Sequence, residues 1–408
     1  MEFFNVLSVD ETKKLMLEKF NNVEIESETV DILKGQDRVL YKDVISHNNV
    51  PNFDRSTVDG YAIKSSDSHG ATEAIPSVLN LLGEVHMGET TDKIIKSGGA
   101  IYVPTGGMIP KGADGVVMIE NVEKLDNDTI FVHKPISFGE NIIYKGSDIK
   151  KGENLFTRGK RLTPQDIGAL SAIGISKVVV YKKIKFYVIS TGDEIVDIDE
   201  EVTIGKVRDI NGYALHSLVE KIGGEIVNKT IVRDDFQLLK SEVKKGIKES
   251  DIVLISGGSS VGTRDYTKDV MDSFNGEGVF VHGVSIKPGK PTLIGEGNGK
   301  IIFGLPGHPV SSIIIFKVFV QYITEKILGL NGNINKTMGI MNSNVHSNPG
   351  KETYQMVKIE DTNGQTYINP IFGKSGMITL LSKADGYIII KSHEEGVNKG
   401  DKKEVYFL

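Results

Sequence analysis

Apolar residues recur at helical spacing over residues 8–20, where Val9, Met16 and Phe20 fall on one face. Ser8 can cap this helix, and Glu11 three residues on can complete a capping box. Between 25 and 40 apolar and charged residues again mix at helical spacing, so helix is expected to resume near 30–33. From about 50 to 145 the texture changes. Short apolar runs at 75–82, 94–95, 100–103, 115–120 and 129–132 are separated by Gly, Pro, Asn and Asp, the pattern of a β-rich module with tight turns.

From about 177 to 328 strand and helix periods alternate. Strands are expected at 184–190, 225–232 and 251–256, then near 280–284, 292–294 and 301–303. Helices are expected at 214–222, stopped by Gly223-Gly224, at 236–248, and as one long amphipathic element at 309–328. Such alternation specifies a mostly parallel sheet with helices on both faces. After about 331 the chain turns β-like again. Asn363-Gly364 between 354–359 and 366–369 is a hairpin signal, and 387–392 and 404–408 read as closing strands of an all-β C-terminal domain. That domain offers few chemically suggestive groups.

Composition narrows the function classes. The 408 residues allow two to four domains. With 48 Lys and Arg against 54 Asp and Glu the net charge is −6, which argues against a general nucleic-acid binder. The absence of cysteine excludes disulfides, thiolate metal sites, iron–sulfur clusters and cysteine nucleophiles, and fits a reducing, cytoplasmic setting. No pair of the 9 histidines has His-x-His or His-x-x-x-His spacing, which argues against zinc. The acidic first residues lack the basic region of a signal peptide, and the most apolar stretch, 313–323, carries Lys317 and Gln321 and is too short to span a bilayer. Glycine is the outlier, 45 residues against a usual ~7%.

In an open α/β sheet, ligands collect beyond the carboxyl ends of the strands. The segments there are Ser190-Thr191-Gly192-Asp193-Glu194, Arg233-Asp234-Asp235, residues 256–265 and residues 304–312. In the third, Gly257, Gly258 and Gly262 let backbone N–H groups approach a ligand, and Ser259 and Ser260 add hydroxyl donors. A helix starting near Asp265 would aim its positive end at the same place, making an anion cradle that lacks the Gly-Lys-Ser/Thr of a Walker loop. A plain glycine turn and a helix-capping Asp265 are the bland readings. In the fourth segment Pro306 and Pro309 stiffen the loop, and Gly307, His308 and Ser311 border the rim; a simple capped helix start would also explain Pro309 and Ser311. Lys287 and Lys290, on Lys287-Pro288-Gly289-Lys290-Pro291, would neutralise a phosphate, although a single surface lysine is more often merely solvated. With the carboxylates Glu194, Asp234 and Asp265, this set suggests a phosphorylated ligand held with magnesium.

Taken in order, Arg55-Ser56-Thr57-Val58-Asp59-Gly60-Tyr61-Ala62, the Ser190 segment, Ser256-Gly257-Gly258 through Asp265-Tyr266-Thr267, the Lys287 segment and Gly304-Leu305-Pro306-Gly307-His308-Pro309-Val310-Ser311 resemble the molybdopterin molybdotransferases, the MoeA-type family that includes the E domain of gephyrin. The resemblance covers essentially the whole chain. It implies an α/β-plus-β multidomain fold: a doubly wound, mostly parallel sheet domain, an inserted β-rich domain and a C-terminal β-barrel-like domain. The expected boundaries are an N-terminal helix (1–26) packing with the α/β domain, a linker domain (27–47 and 146–176), the inserted domain (48–145), the α/β domain (177–328) and the C-terminal domain (329–408). It further implies insertion of molybdate into the dithiolene of adenylylated molybdopterin with release of AMP, assisted by Mg2+ or a similar divalent cation. The cleft would be shared between the subunits of a homodimer, with a molybdopterin adenylyltransferase or a molybdoenzyme as a further partner. Carried over by motif, Asp59 and Thr105 would face the cleft from the β-rich domain. Glu194, Asp234 and Asp265 would serve metal and substrate, Lys287 and Lys290 would hold anions, and Pro306 and Pro309 would shape the rim. His308 stands where the family usually has Asn or Asp. Two alternatives share the fold, an adenylyltransferase and a non-catalytic scaffold. The former needs only the α/β domain, and the latter has no need of so many retained acids.

Overall fold

The computed structural model describes residues 6–257, 266–330 and 335–408. The chain opens with α1 (Val9–Phe20), where Ser8 and Glu11 form the expected capping box. β1 (Ser27–Asp31) follows and later pairs antiparallel with β8 (Lys177–Tyr181). Between them lies a six-stranded sheet built from β2 (Gly60–Ile63), β3 (Ser77–Glu84), β4 (Gly99–Val103), β5 (Gly115–Met118), β6 (Val122–Lys124) and β7 (Thr129–Val132), in the order β5-β2-β4-β3-β7-β6. The helix α2 (Pro164–Ala172), boxed by Thr163 and Asp166, precedes β8.

The central domain is the doubly wound sheet that the alternating pattern specifies. Its elements are β9 (Lys185–Thr191), α3 (Asn211–Lys221), β10 (Glu225–Val232), α4 (Phe236–Glu249), β11 (Ile252–Ser256), α5 (Thr267–Asp272), β12 (Gly278–His282), β13 (Leu293–Gly297) and β14 (Lys300–Leu305). The order is β10-β9-β11-β14-β13-β12; β10, β9, β11 and β14 run parallel, and β13 and β12 are antiparallel additions. β9 and β11 are buried over almost their whole length, as strands covered on both faces must be. Phe186, Val188, Leu254 and Phe303 join one core with Met16 and Phe20 of α1, while Tyr187, Ile189, Val253 and Ile255 point to another with Leu239 and Val243 of α4. The alternation feeds two cores, one on each face, and the parallel pairing puts the β9, β11 and β14 carboxyl ends on one edge.

The C-terminal strands β15 (Lys336–Met341), β16 (Glu352–Thr362), β17 (Gln365–Pro370), β18 (Gly386–Ile390) and β19 (Lys402–Phe407) pair in a ring, β16 to β17 to β15 to β19 to β18 and back to β16, a closed five-stranded barrel. Asn363 and Gly364 make the expected hairpin turn, both with positive φ. Ile286-Lys287, which leaves the central domain, adds to the barrel as a parallel partner of Glu352-Thr353. Tyr354, Met356, Leu380 and Leu381 belong to the central domain's own core.

Three expectations are corrected. The stretch near 30–33 is not helical: Glu28, Val30 and their neighbours alternate in burial along β1, and only one 3-10 turn, Ile32–Lys34, follows under an Asp31 cap. Pairing with β8 outweighs the helical spacing. Ile94-Ile95 forms no strand; Ile95 is buried while Ile94 is exposed. The long element at 309–328 is α6 (Pro309–Ile315), a π-helical turn (Phe316–Gln321) and α7 (Tyr322–Ile327). Every residue of α6 is buried, Ser311 and Ser312 included, so it has no solvent face and is not amphipathic.

Candidate active-site cleft

The carboxyl edge of the central sheet opens into a cleft of about 1520 Å³, whose other side is the C-terminal barrel. All four strand-end segments anticipated from the sequence contribute to it, through Ser190, Thr191 and Glu194, through Asp234, through Ser256 and Gly257, and through Pro306, Gly307, His308, Pro309 and Ser311. Their side chains are held. Thr191 Oγ1 donates to Asp234 Oδ1 at 2.8 Å, and the Gly192 N–H donates to the Val232 carbonyl at 3.1 Å, tying the ends of β9 and β10 together. Gly257 has φ +105°, and a Cβ there would fall 2.1 Å from the Thr191 carbonyl oxygen, so β11 can end against β9 only with glycine. Pro309 occupies the first turn of α6, as its fixed φ suits.

Two floor residues escaped the sequence reading. Asn211 Nδ2 donates to Ser256 Oγ at 2.7 Å and to the Gly307 carbonyl at 2.8 Å, bridging the third and fourth segments. Asp209 Oδ1 accepts from Ser190 Oγ and from the Gly212 N–H, both at 2.8 Å. Both side chains line the cleft and are buried. Among the described residues Asn211 Oδ1 has no hydrogen-bond partner, and Asp209 Oδ2 has only Lys229 Nζ, at 3.7 Å. The Asp209-Ile210-Asn211 sequence before a predicted helix was the available signal, and it reads equally well as ordinary capping.

The barrel side corrects the view that the C-terminal domain carries little chemistry. His346, Lys351, Thr353, Gln355 and the loop from Ile371 to Gly376 face the cleft. This loop meets the α6 start: His308 Nδ1 lies 2.8 Å from Ser375 Oγ, and the Val310 N–H donates to the Ser375 carbonyl at 3.1 Å. Lys287, Lys290, Lys351 and Lys374 all line the cleft, and among the described residues none has a carboxylate within 4.0 Å. Four ammonium groups with no carboxylate neighbour among the described residues, against the three lining carboxylates Glu194, Asp209 and Asp234, of which Asp209 is buried, suit a polyanionic ligand. Lys351 and Lys374 lie on β-rich segments whose sequence carries no motif, so only the tertiary contact reveals them.

The remaining expected residues are placed as follows. Asp59 and Thr105 meet each other, the Thr105 N–H donating to Asp59 Oδ1 at 2.7 Å, in the β-rich module, and neither lines the cleft of its own chain. Gly258, Ser259, Ser260, Gly262 and Asp265 lie outside the described residues. Among the described residues no group of three or more His, Cys, Asp or Glu could hold a metal ion. Glu194 and Asp234 do supply two oxygen-donor carboxylates on neighbouring loops of the cleft, the donor type that a hard divalent cation takes. No helix among the described residues is long and apolar enough to cross a membrane.

Comparison with known proteins accounts for nearly the whole chain. Residues 7–174 match the MoeA N-terminal region (domains I and II), residues 187–326 a probable molybdopterin binding domain, and residues 339–408 the MoeA C-terminal region (domain IV). A putative molybdopterin biosynthesis protein of Methanocaldococcus jannaschii is 34% identical, over 99% of this chain and 98% of its own length. A molybdopterin molybdenumtransferase of Staphylococcus aureus is 30% identical, over 92% of this chain and 90% of its own. The solved structure of a molybdopterin biosynthesis MoeA protein from Pyrococcus horikoshii superposes with a TM-score of 0.83 at 37% identity, covering 99% of both chains.

Proposed function

We infer, because this chain belongs to the MoeA family, that its cleft is the active site of a molybdopterin molybdenumtransferase working at a late step of molybdenum cofactor biosynthesis. The substrate is adenylylated molybdopterin together with molybdate. The two dithiolene thiols bond to molybdenum and displace an oxygen of molybdate, which leaves with their protons as water; water adds across the pyrophosphate bond, so that AMP leaves and the pterin keeps its own phosphate. The observation that carries this reading is the meeting in one cleft of the carboxylates Glu194 and Asp234 with Lys287, Lys290, Lys351 and Lys374, which among the described residues have no carboxylate within 4.0 Å.

Each group has a part that its chemistry suits. The lysines hold the phosphates and the molybdate dianion, and the Gly257 backbone reaches the cleft without a Cβ in the way. Pyrophosphate cleavage asks for charge stabilisation and positioning rather than a strong protein nucleophile, so a cysteine-free site is adequate. Thr191 orients Asp234, and Asn211 fixes the spacing between the Ser256 and Gly307 loops. Mg2+ or a similar divalent cation, held by Glu194 and Asp234 with Asp265, neutralises phosphate charge when bound. Pro306, Pro309 and Ser311 give the rim its shape, and His308 spends its Nδ1 on Ser375.

Asp59 and Thr105 enter from the β-rich module of a second copy. In support, they form a matched pair in that module and do not line their own chain's cleft. A homodimer with two shared clefts follows, in a cytoplasmic setting. The test is AMP release from adenylylated molybdopterin in the presence of magnesium, with and without molybdate, followed by reconstitution of a cofactor-free molybdoenzyme. Molybdate-dependent release with reconstitution supports the reading. Binding without release assigns the fold a scaffold role instead.

A further inference from the structure

We propose that Phe372 is a stacking platform for a flat heteroaromatic ring of the substrate; the proposal rests on the reading of the cleft as the site of an adenylylated pterin. Phe372 lines the cleft from the barrel side and is 67% exposed. The other tyrosine or phenylalanine of the lining, Tyr354, is buried, with its hydroxyl donating to Glu352 at 2.6 Å. The apolar neighbours of Phe372 behave differently from it. Ile371 and Ile378 pack against the main core and Leu380 is buried, whereas Phe372 joins no core cluster and no ring pair among the described residues.

The loop that carries the ring is held on both sides. The Ile371 N–H donates to the Met356 carbonyl at 2.9 Å, and Gln355 Nε2 donates to the Ile371 carbonyl at 2.7 Å. Three residues past Phe372, Ser375 makes its two bonds to α6 and its N-cap. Between these anchors the backbone packs closely on Leu380, a residue of the central core: a Cβ on Gly373 would fall 2.3 Å from its Cδ1. An apolar ring exposed on a fixed loop loses little conformational freedom on binding and gains by leaving water. Lys374 and Lys351 line the same side, and among the described residues neither has a carboxylate within 4.0 Å, so a phosphorylated ring on Phe372 has ammonium groups in the same cleft. Adenine and pterin share this flat, π-rich chemistry.

The experiment measures binding of AMP and, separately, of pterin-6-carboxylate by calorimetry to the full chain and to Phe372→Ala, Phe372→Leu and Phe372→Trp. Stacking of one ring on an aromatic side chain predicts a Kd about 5- to 100-fold weaker for one of the two probes in Phe372→Ala. Phe372→Leu would be intermediate, and Phe372→Trp would restore affinity. Because the chain has no other tryptophan, quenching of the Phe372→Trp emission by AMP would place adenine on the platform directly. Loss confined to the pterin probe would assign the platform to the pterin. A Kd within about twofold of wild type for both probes in Phe372→Ala overturns the platform while AMP release in wild type leaves the transferase reading standing. A change of oligomeric state in Phe372→Ala by light scattering, with both Kd values unchanged, also overturns it and makes the ring a subunit contact. A wild-type protein that binds neither probe and releases no AMP overturns both.

Discussion

The two sides of the cleft are built on different principles. The sheet side is a set of strand ends. Its carboxylate Asp234 is gripped by Thr191, its loops are bridged by Asn211, and its backbone is so close-packed that Gly257 admits no Cβ. The barrel side presents Lys374 and Phe372 on a loop fastened at its ends and Lys351 just ahead of β16; Phe372 is exposed, and among the described residues neither lysine has a carboxylate within 4.0 Å. A side chain held by hydrogen bonds is placed for a reacting atom, where an error of an ångström is costly. A side chain free at its tip can follow a ligand and neutralise it. On the proposed reading of the cleft, the difference would put the reaction on the sheet side and much of the binding on the barrel side.

The sharpest way to break this division is at Asp234. Asp234→Asn should lower the rate of AMP release by about 100-fold or more while leaving the Kd for AMP within a few-fold. Thr191→Val, which only frees the carboxylate, should cost about tenfold in kcat. Single-turnover AMP release and calorimetry on the same preparations check both, and an Asp234→Asn enzyme with normal turnover would take the reaction away from the sheet side. The converse test is Lys351→Ala. It should raise KM roughly tenfold with kcat nearly kept, and the penalty should shrink as salt screens the contact. A fall in kcat alone would show that the barrel side takes part in the chemical step.

The contrast also explains what could be read from the sequence. Buried parallel strands announce themselves as apolar runs such as Ile252 to Ser256, and topology then dictates that whatever follows each strand lands on one edge. Thr191, Glu194, Asp234, Pro306 and His308 were therefore legible as neighbours although they span more than a hundred residues of chain. Lys351 and Phe372 were not, because antiparallel strands carry no rule that says which end faces a ligand. They reach the cleft only through docking of the barrel, which the Ile286-Lys287 pairing with Glu352-Thr353 and the shared core around Tyr354 bring about. Asn211 was hidden for another reason: a helix-start asparagine has the same appearance whether it caps the helix or bridges two loops. The helix expected near 30–33 failed because local period lost to a tertiary partner, β8.

Cutting the seam between the sides should have smaller effects. Ser375→Ala removes the bond to His308 Nδ1 and leaves the Val310 N–H to Ser375 carbonyl bond in place. The expected cost is about 1 kcal/mol or less in stability, with Kd for AMP weakened two- to five-fold as the loop carrying Phe372 loosens. Unchanged affinity with lowered stability would mean that the seam joins the domains without shaping the cleft.

The smallest effect is expected at the far seam, where Lys317 Nζ donates to the Phe407 carbonyl at 3.2 Å and Lys221 Nζ to the Leu408 carbonyl oxygen at 2.8 Å. Burial pushes the Lys317 ammonium down from 10.5 to about 8, with Lys221 adding repulsion and Glu325 opposing it. The unfolded chain keeps that proton up to its ordinary pKa, so between about pH 8 and 10.5 the unfolded state binds more protons than the folded one. Stability from this group therefore rises with pH across that window, and below it the cost of a half-buried charge is present in full. Lys317→Met removes the titration and loses the bond to Phe407. Denaturant midpoints for wild type and variant should accordingly draw apart in favour of wild type as pH rises from about 8 to 10.5, and run parallel below. A gap that stays constant through the window would mean that Lys317 is solvated in the folded protein and that the far seam is held by Lys221 and strand β19 alone.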